Sequence, residues 1–205
     1  MLQKLESIAT QIIASSGQDV TMALPNLSIF QQKQSGNFDG MVYHPLFCVV
    51  LRGRKEFWVH GENVPFTSGD VFVISHDMPI PSKITDASPE APYLSLILSL
   101  DLGMLHSLYD EVGSEITEDL DASSLSKGTL QSDWAEPLSR FLGLASKPVD
   151  AEILGPLILK ELHFRLLMSP MGSMLRNLIF LNSHANRIAG AIQHIRQHFR
   201  ETVTV

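Results

Sequence analysis

The sequence predicts an α+β fold, in which a small β-barrel or double-stranded β-sandwich is followed by a helical segment. Between residues 20 and 100, short apolar or alternating runs are broken by turns such as Arg52-Gly53 and Ser68-Gly69-Asp70, which is typical of sandwiches and barrels. After Asp101 the apolar residues recur at helical spacing. With 44% apolar and 18% charged residues, the chain can bury a core and is not expected to be disordered.

The N-terminal element is predicted to be a helix over residues 2–15, because its apolar residues fall on one side and Ser15-Ser16-Gly17 ends it. Strands are expected in five runs: 27–31, 46–51, 56–60, 71–75 and 93–100. Helices are expected over five further segments: 102–112, 134–144, 151–168, 173–181 and 185–199. The residues between 113 and 132 are acidic and polar and indicate a linker.

Charge is unevenly distributed along the chain, which has a net charge of −7. Residues 1–161 are strongly acidic and are not expected to bind nucleic acid electrostatically. Five arginines and no acidic residue lie between 162 and 200, which fits either a surface beside a phosphate backbone or a solvated helix face.

Membrane spanning and secretion are not expected, because no apolar run is long enough and no signal peptide opens the chain. The single cysteine, Cys48, lies in an apolar run and indicates a buried residue. One cysteine cannot form an internal disulfide, which suits a cytoplasmic protein.

Metal and nucleophile chemistry have little support in the sequence. His44, His60 and His76 stand alone in the predicted barrel, and no His-x-His pair is present. His194 and His198 lie four residues apart, a spacing that suits either a metal or a solvated helix face. No nucleophile or phosphate-binding motif occurs. We therefore expect no cofactor and no catalytic residue, while a metal-dependent enzyme remains an alternative.

Several short motifs occur in an order that resembles a known family. They are Arg52-Gly53-Arg54-Lys55, Ser68-Gly69-Asp70, Thr85-Asp86-Ala87-Ser88-Pro89, Glu161-Leu162-His163-Phe164-Arg165, Gly172-Ser173-Met174-Leu175-Arg176 and Arg187-Ile188-Ala189-Gly190. Over roughly residues 20–200 the chain resembles the N-terminal, cupin-like regulatory domain of AraC-type transcriptional regulators. The resemblance implies a domain that binds a small effector and dimerises, followed by a DNA-binding domain with two helix-turn-helix units.

Residues 187–199 resemble the first helix of that DNA-binding domain. The resemblance therefore divides the chain into a barrel with an N-terminal helix (1–101), a helical dimerisation part (102–181), and a linker with the first helix of a truncated DNA-binding domain (182–205). Contact with DNA is expected only through the part of that domain outside this chain.

The resemblance also implies a ligand site. In the arabinose-responsive member of the family, an arginine just before the barrel glycine contacts the sugar, and Arg52 matches it. Strand alternation puts Cys48, Val50 and Arg52 on one face. Continuing the alignment adds four further interior positions: Ile80, Ser82, Leu94 and Leu96. Such a pocket, apolar with one cation, suggests a small apolar or anionic effector, unless these side chains simply fill the barrel.

The helix predicted over 151–168 carries apolar residues on more than one face. It either covers the barrel or, as the resemblance implies, pairs with its copy in a homodimer; a wide apolar surface suits both. The expected dimerisation residues are Leu154, Ile158, Glu161, Leu162 and Arg165. A sensing domain is thus the primary interpretation, and a metal-dependent cupin enzyme or a ligand-free dimerisation scaffold are the alternatives.

Overall fold

The computed structural model describes residues 1–112, 119, 122–179 and 191. Two antiparallel sheets pack face to face, and helices cover the outer face of the larger one. The strands are β1 Val20–Leu24, β2 Leu27–Gln32, β3 Asp39–Tyr43, β4 Leu46–Arg52, β5 Arg54–Val59, β6 Glu62–Thr67, β7 Asp70–Ile74, β8 Met78–Asp86, β9 Tyr93–Ser99 and β10 Leu125–Thr129. The helices are α1 Leu2–Ser16, α2 Leu102–Val112, α3 Ser132–Leu142, α4 Pro148–Met168 and α5 Ser173–Ile179, with a 3-10 turn at Pro170–Gly172.

The larger sheet has six strands in the order β1-β2-β9-β4-β7-β10, and the smaller sheet has four in the order β3-β8-β5-β6. The chain passes from one sheet to the other at Gly53, between β4 and β5. This glycine has φ 81°, and a Cβ there would lie 2.4 Å from the carbonyl oxygen of Asp86. The corner therefore needs glycine for both its backbone conformation and its lack of a side chain.

Alternation along the strands of the larger sheet creates two separate cores. The first lies between the sheets and is rich in aromatic residues: Tyr43, Cys48, Val50, Phe57, Phe66, Phe72, Ile74, Ile80, Ile84 and Tyr93. The second lies between the larger sheet and the helices and includes Leu27, Phe47, Val49, Leu94, Leu96 and Trp134. Strand β4 is buried on both faces, and its sequence is therefore a continuous apolar run rather than an alternating one.

The α+β prediction is confirmed, and so are most of the predicted helices. The helix predicted over 2–15 is α1, which ends at Gly17 in the left-handed conformation with φ 66°. The helix predicted over 102–112 has the same bounds as α2. The predicted helix at 185–199 lies outside the described residues, apart from Ala191, and so do His194 and His198.

Sequence patterns missed β10, which lies in the stretch taken for a linker. Its residues are polar and contain a glycine, so they show no apolar alternation, and the strand forms because its backbone pairs with the edge of β7. The division of the chain at Asp101 stays a prediction. In the structure, β10 lies after this boundary in the sequence but belongs to the larger sheet. Among the described residues, no helix is long and apolar enough to cross a membrane.

Candidate functional site

The barrel interior is the space between the two sheets, and the structure places only some of the predicted ligand residues there. Cys48, Val50 and Ile80 belong to the core between the sheets. Ser82 is buried and shares a hydrogen bond with the hydroxyl of Tyr43 at 2.6 Å. Cys48 and Val50 thus lie on the face that alternation predicted, and Ile80 and Ser82 lie on the face that the resemblance implied.

Leu94 and Leu96 do not face the barrel interior, which corrects the expectation. In the pairing of β4 with β9, Cys48 lies opposite Ile97 and Val50 opposite Ser95. Residues opposite each other in an antiparallel pair share a face, so the odd-numbered residues of β9 point inward. Leu94 and Leu96 pack against the helices instead, and Ser95 takes the interior position.

Arg52 also faces away from the barrel interior, because β4 is irregular at its end. Val50 pairs with Ser95, but Arg52 pairs with Leu94, so one extra residue is inserted between them. Such a bulge reverses the side on which the following side chains lie. The guanidinium of Arg52 bonds helix α1 instead, with its Nε 2.7 Å from Oε1 of Glu6. Its Nη2 donates to Thr10 at 3.2 Å.

Two lysines reach the rings of the core between the sheets. Lys127 lies with its Nζ 5.0 Å from the ring centroid of Phe66 and pairs with Asp70, whereas the second, Lys55, was not singled out as a ligand residue by the sequence analysis. It lies two residues before Phe57 on β5 and therefore on the same, inward face. Its Nζ lies 5.0 Å from the ring centroid of Tyr43 and 5.1 Å from that of Phe57, within the range of a cation–π contact. Among the described residues, Lys55 forms no ion pair with a carboxylate.

Uncharged polar groups surround this cation. Burial raises the pKa of the Cys48 thiol to about 12, although the positive charge of Lys55 and a hydrogen bond with Ser95 oppose the shift. Burial likewise raises the pKa of the Tyr93 hydroxyl well above its ordinary value. Both groups are therefore neutral at physiological pH, and neither supplies a negative charge to Lys55. The interior near Lys55 is positive and hydrogen-bonding, with aromatic walls.

The other part of the interior is filled by phenylalanine side chains. The ring centroids of Phe57, Phe66 and Phe72 lie 4.9–5.4 Å apart in edge-to-face contacts, a favourable aromatic geometry. All three are at most 2% exposed. Lys55 lies at the Phe57 edge of this phenylalanine cluster.

The barrel histidines lie apart from each other. Nδ1 of His44 is 2.7 Å from Oδ1 of Asp77, and Nδ1 of His76 is 3.0 Å from the hydroxyl of Ser75. His60 has φ 51° in the turn between β5 and β6. Within the part of the chain that the structure describes, no three potential metal-ligating side chains come together.

The predicted dimerisation residues are divided between the core and the surface of α4. Ile158 and Leu162 are buried in their own chain, whereas Leu154 is 44% exposed. Glu161 bonds Arg140 and Arg165. Burial raises the pKa of the Glu161 carboxyl, but these two arginines outweigh burial, and the net shift is downward. The exposed apolar surface, here called the α4 stripe, lies to one side of these residues and comprises Ile153, Leu157, Phe164 and Met168.

Two packed antiparallel sheets with a helical layer form a cupin-like α+β fold. Comparison with solved structures agrees: ToxT K231A from Vibrio cholerae strain SCE256 aligns with a TM-score of 0.56 and 9% identity, over 87% of this chain and 66% of that chain. The AraC-like transcriptional activator CuxR aligns with a TM-score of 0.41 and 14% identity, over 88% of this chain and 63% of that chain. A cupin-2 protein from Shewanella frigidimarina aligns with a TM-score of 0.27 and 11% identity, over 36% of this chain and 69% of that chain.

Residues 23–174 match the family model for the AraC-type transcriptional regulator N-terminus, and the chain belongs to this family. It spans just under two thirds of the ToxT chain with which it aligns. No curated protein matches the sequence significantly.

Proposed function

We propose that this chain is the effector-sensing and dimerisation domain of an AraC-type regulator, and that it acts in the cytoplasm as a binding protein rather than as an enzyme. The family membership supports a role in transcription regulation. DNA would be bound by a helix-turn-helix domain that the family places after this one, and effector binding would shift the population between two arrangements of that domain.

The observation that carries the effector proposal is Lys55. An ammonium that faces the barrel interior with no carboxylate partner among the described residues offers an anion a charge-assisted hydrogen bond. The neighbouring rings of Tyr43 and Phe57 offer apolar surface, and the hydroxyls of Tyr43 and Ser82 offer further hydrogen bonds. We infer a small apolar effector that carries a carboxylate, bound on the Lys55 side of the phenylalanine cluster.

A calorimetric titration of the chain with a panel of small aliphatic and aromatic carboxylates tests this proposal. Lys55→Leu should weaken binding of any hit at least about tenfold, since about 1.4 kcal/mol corresponds to a tenfold change in affinity. Arg52→Leu is the matched control, because Arg52 contacts α1 and not the interior, and it should leave affinity unchanged. Equal affinity for the wild type and Lys55→Leu would contradict the assigned site.

A dimerisation scaffold without an effector is the second candidate. The phenylalanine cluster supports it, because Phe57, Phe66 and Phe72 already fill part of the interior. If no carboxylate in the panel gives measurable heat or raises the melting temperature, this candidate replaces the sensing function.

We also propose that the homodimer forms through the α4 stripe. The four members of the stripe are 40–64% exposed, and exposed apolar side chains that line one helix face mark an interaction site. Two copies of α4 would bury these side chains against each other in a two-fold arrangement. Leu154 and Glu161 would lie at the rim of this contact, whereas Ile158 and Leu162 would support it from the core.

A further inference from the structure

The edge strand β1 carries apolar side chains that face the barrel interior and are nevertheless exposed. Val20 and Met22 pair with Phe30 and Ser28 of β2, and Phe30 packs against the core between the sheets. Because residues directly opposite each other in an antiparallel pair share a face, Val20 and Met22 also lie on the interior face of the larger sheet. They are 53% and 74% exposed, so the smaller sheet does not cover them.

The edge strand β3 of the smaller sheet shows the same feature. Met41 pairs with Ile80 of β8, and Ile80 is buried in the core between the sheets. Met41 therefore lies on the inward face of its own sheet, yet it is 55% exposed. An inward-facing side chain stays exposed only where the opposite sheet does not cover it.

These two edges lie on the same side of the barrel. The edges at the other ends of the two sheets, β6 and β10, are joined, because Nζ of Lys127 donates a hydrogen bond to the carbonyl oxygen of Pro65 at 2.6 Å. The strand orders then leave β1 and β3 together at the opposite side. We call the opening between them, lined by Val20, Met22 and Met41, the β1–β3 mouth.

The mouth is continuous with the interior cation. Tyr43 follows Met41 by two residues on β3, on the same face and about 7 Å farther along the strand. The ring of Tyr43 lies 5.0 Å from Nζ of Lys55. One wall of the interior therefore leads from the ammonium of Lys55 along the Tyr43 ring to Met41. A ligand that touches both ends of this wall needs an extended apolar body.

Charge at the two ends of this wall sets the orientation of such a ligand. Asp39 pairs with Ser82, whose side chain is buried and bonded to Tyr43, so Asp39 lies on the inward face next to Met41. It is exposed. A carboxylate at the mouth would be repelled by Asp39, whereas a carboxylate at the inner end would be attracted by Lys55. The negative group therefore points inward, and the uncharged end lies at the mouth.

We propose that the β1–β3 mouth is the distal part of the effector site, and that it selects a carboxylate with a straight aliphatic chain, whose tail packs against Met22 and Met41. Methionine is unbranched and flexible, so it adapts to such a chain. This inference rests on the sensing function proposed above and specifies the shape of the ligand. A compact molecule would contact Lys55 and leave the mouth empty.

The test is a calorimetric titration of the chain with the straight-chain alkanoates from butanoate to decanoate. Affinity should rise about three- to fourfold for each added methylene group, the gain expected when that group leaves water. Cyclohexanecarboxylate has the carbon count of heptanoate in a compact shape and should bind more weakly than heptanoate. Affinity that does not rise beyond butanoate contradicts the mouth, while the carboxylate site at Lys55 would still stand.

Isotope-labelled methionine methyl groups locate the tail directly. The signals of Met22 and Met41, assigned through Met22→Leu and Met41→Leu, should shift and saturate as octanoate is added. The signal of Met168, which is 43% exposed on α4, should stay in place. Octanoate binding without a shift at Met22 or Met41 overturns the proposal. Shifts of these two signals on dilution of the ligand-free chain would assign the mouth to a second copy of the chain instead.

A matched pair of variants on β3 separates the mouth from the carboxylate site. Met41→Gln should weaken octanoate binding about tenfold and leave butanoate binding unchanged. Val42→Gln is the control, because Val42 is 44% exposed on the opposite face of the same strand, and it should change neither affinity.

The two proposals can fail independently. Octanoate affinity that is equal in Met41→Gln and the wild type overturns the mouth. Octanoate affinity that depends on Met41 but is unchanged in Lys55→Leu overturns the carboxylate site and leaves the mouth as an apolar site. Failure of every alkanoate to bind overturns both.

Discussion

The backbone N–H of Asp101 donates a hydrogen bond to Nε2 of His163 at 2.9 Å. Because Nε2 accepts, Nδ1 carries the proton of the neutral imidazole and donates it to the carbonyl oxygen of Leu159 at 2.8 Å. His163 is fully buried, and its two partners have fixed roles. The ring therefore joins α4 to the residue before α2, where the Asp101 carboxylate accepts from the N–H of Met104.

This arrangement predicts that the chain loses stability as the pH falls below about 6.5. Burial lowers the pKa of His163 from its ordinary value of 6.5, against smaller opposing effects of the Leu159 hydrogen bond and Asp101. The unfolded chain therefore binds a proton that the folded chain does not, and the free energy of unfolding decreases by up to about 1.4 kcal/mol per pH unit in this window. Urea unfolding between pH 8 and pH 5 measures the effect.

Two histidines, His76 and His163, are expected to reduce stability as the pH falls, and a pair of variants separates their contributions. Burial also lowers the pKa of His76, so His76→Gln should remove a part of the pH dependence. His163→Leu should remove a further part, and should cost about 1–3 kcal/mol at pH 8 for each backbone group left without a partner. A pH dependence identical in His163→Leu and the wild type would show that folding does not lower the pKa of His163, and would contradict the prediction.

Because Phe57 helps to fill the barrel interior, two adjacent positions of β5 should differ greatly in the stability that is lost on substitution by alanine. Phe57 is fully buried and touches Phe66 and Phe72, so Phe57→Ala should destabilise the chain by about 3–5 kcal/mol. The neighbouring Trp58 is 46% exposed, and Trp58→Ala should cost much less. Denaturant unfolding of both variants checks this, and similar losses would contradict the assigned faces of the strand.

Two glycines have similar backbone angles, but substitution by alanine should destabilise the chain by different amounts at the two positions. Gly61 has φ 86°, and a Cβ there meets no atom within 4 Å, so Gly61→Ala should cost only the left-handed backbone penalty of about 1–2 kcal/mol. Gly53, with φ 81°, would place its Cβ 2.4 Å from the oxygen of Asp86. Gly53→Ala should therefore lower the melting temperature clearly more, and equal effects would show that the corner can relax.

The α4 stripe predicts that one charged residue dissociates the dimer without unfolding the chain. Leu157 is 63% exposed, so Leu157→Asp should leave the circular dichroism spectrum and the melting transition of the isolated subunit intact while sedimentation shows a monomer. Glu152→Ala, at an exposed position of the same helix outside the stripe, is the control and should remain dimeric. A monomeric wild-type chain would contradict the proposal.

Local sequence determined much of this protein. The periodicity of α1 and α2, and the glycines at the strand corners, indicated the α+β architecture, because helix spacing and turn conformation depend on residues close together in the chain. Alternation placed Cys48 and Val50 in the interior for the same reason, since it holds along an undisturbed strand, whereas Ile80 was assigned there through the family resemblance.

Only the tertiary structure decided the orientation of Arg52, the role of Lys55 and the existence of β10. A single inserted residue in β4 turned Arg52 toward Glu6, and alternation cannot anticipate a bulge whose position depends on pairing with β9. Lys55 became the interior cation because β5 pairs between β6 and β8 in the second sheet. The polar strand β10 exists because β7 offered it an edge. For Arg52 and β10 the deciding partner, β9 or β7, lies far away in the chain, where sequence periodicity carries no information.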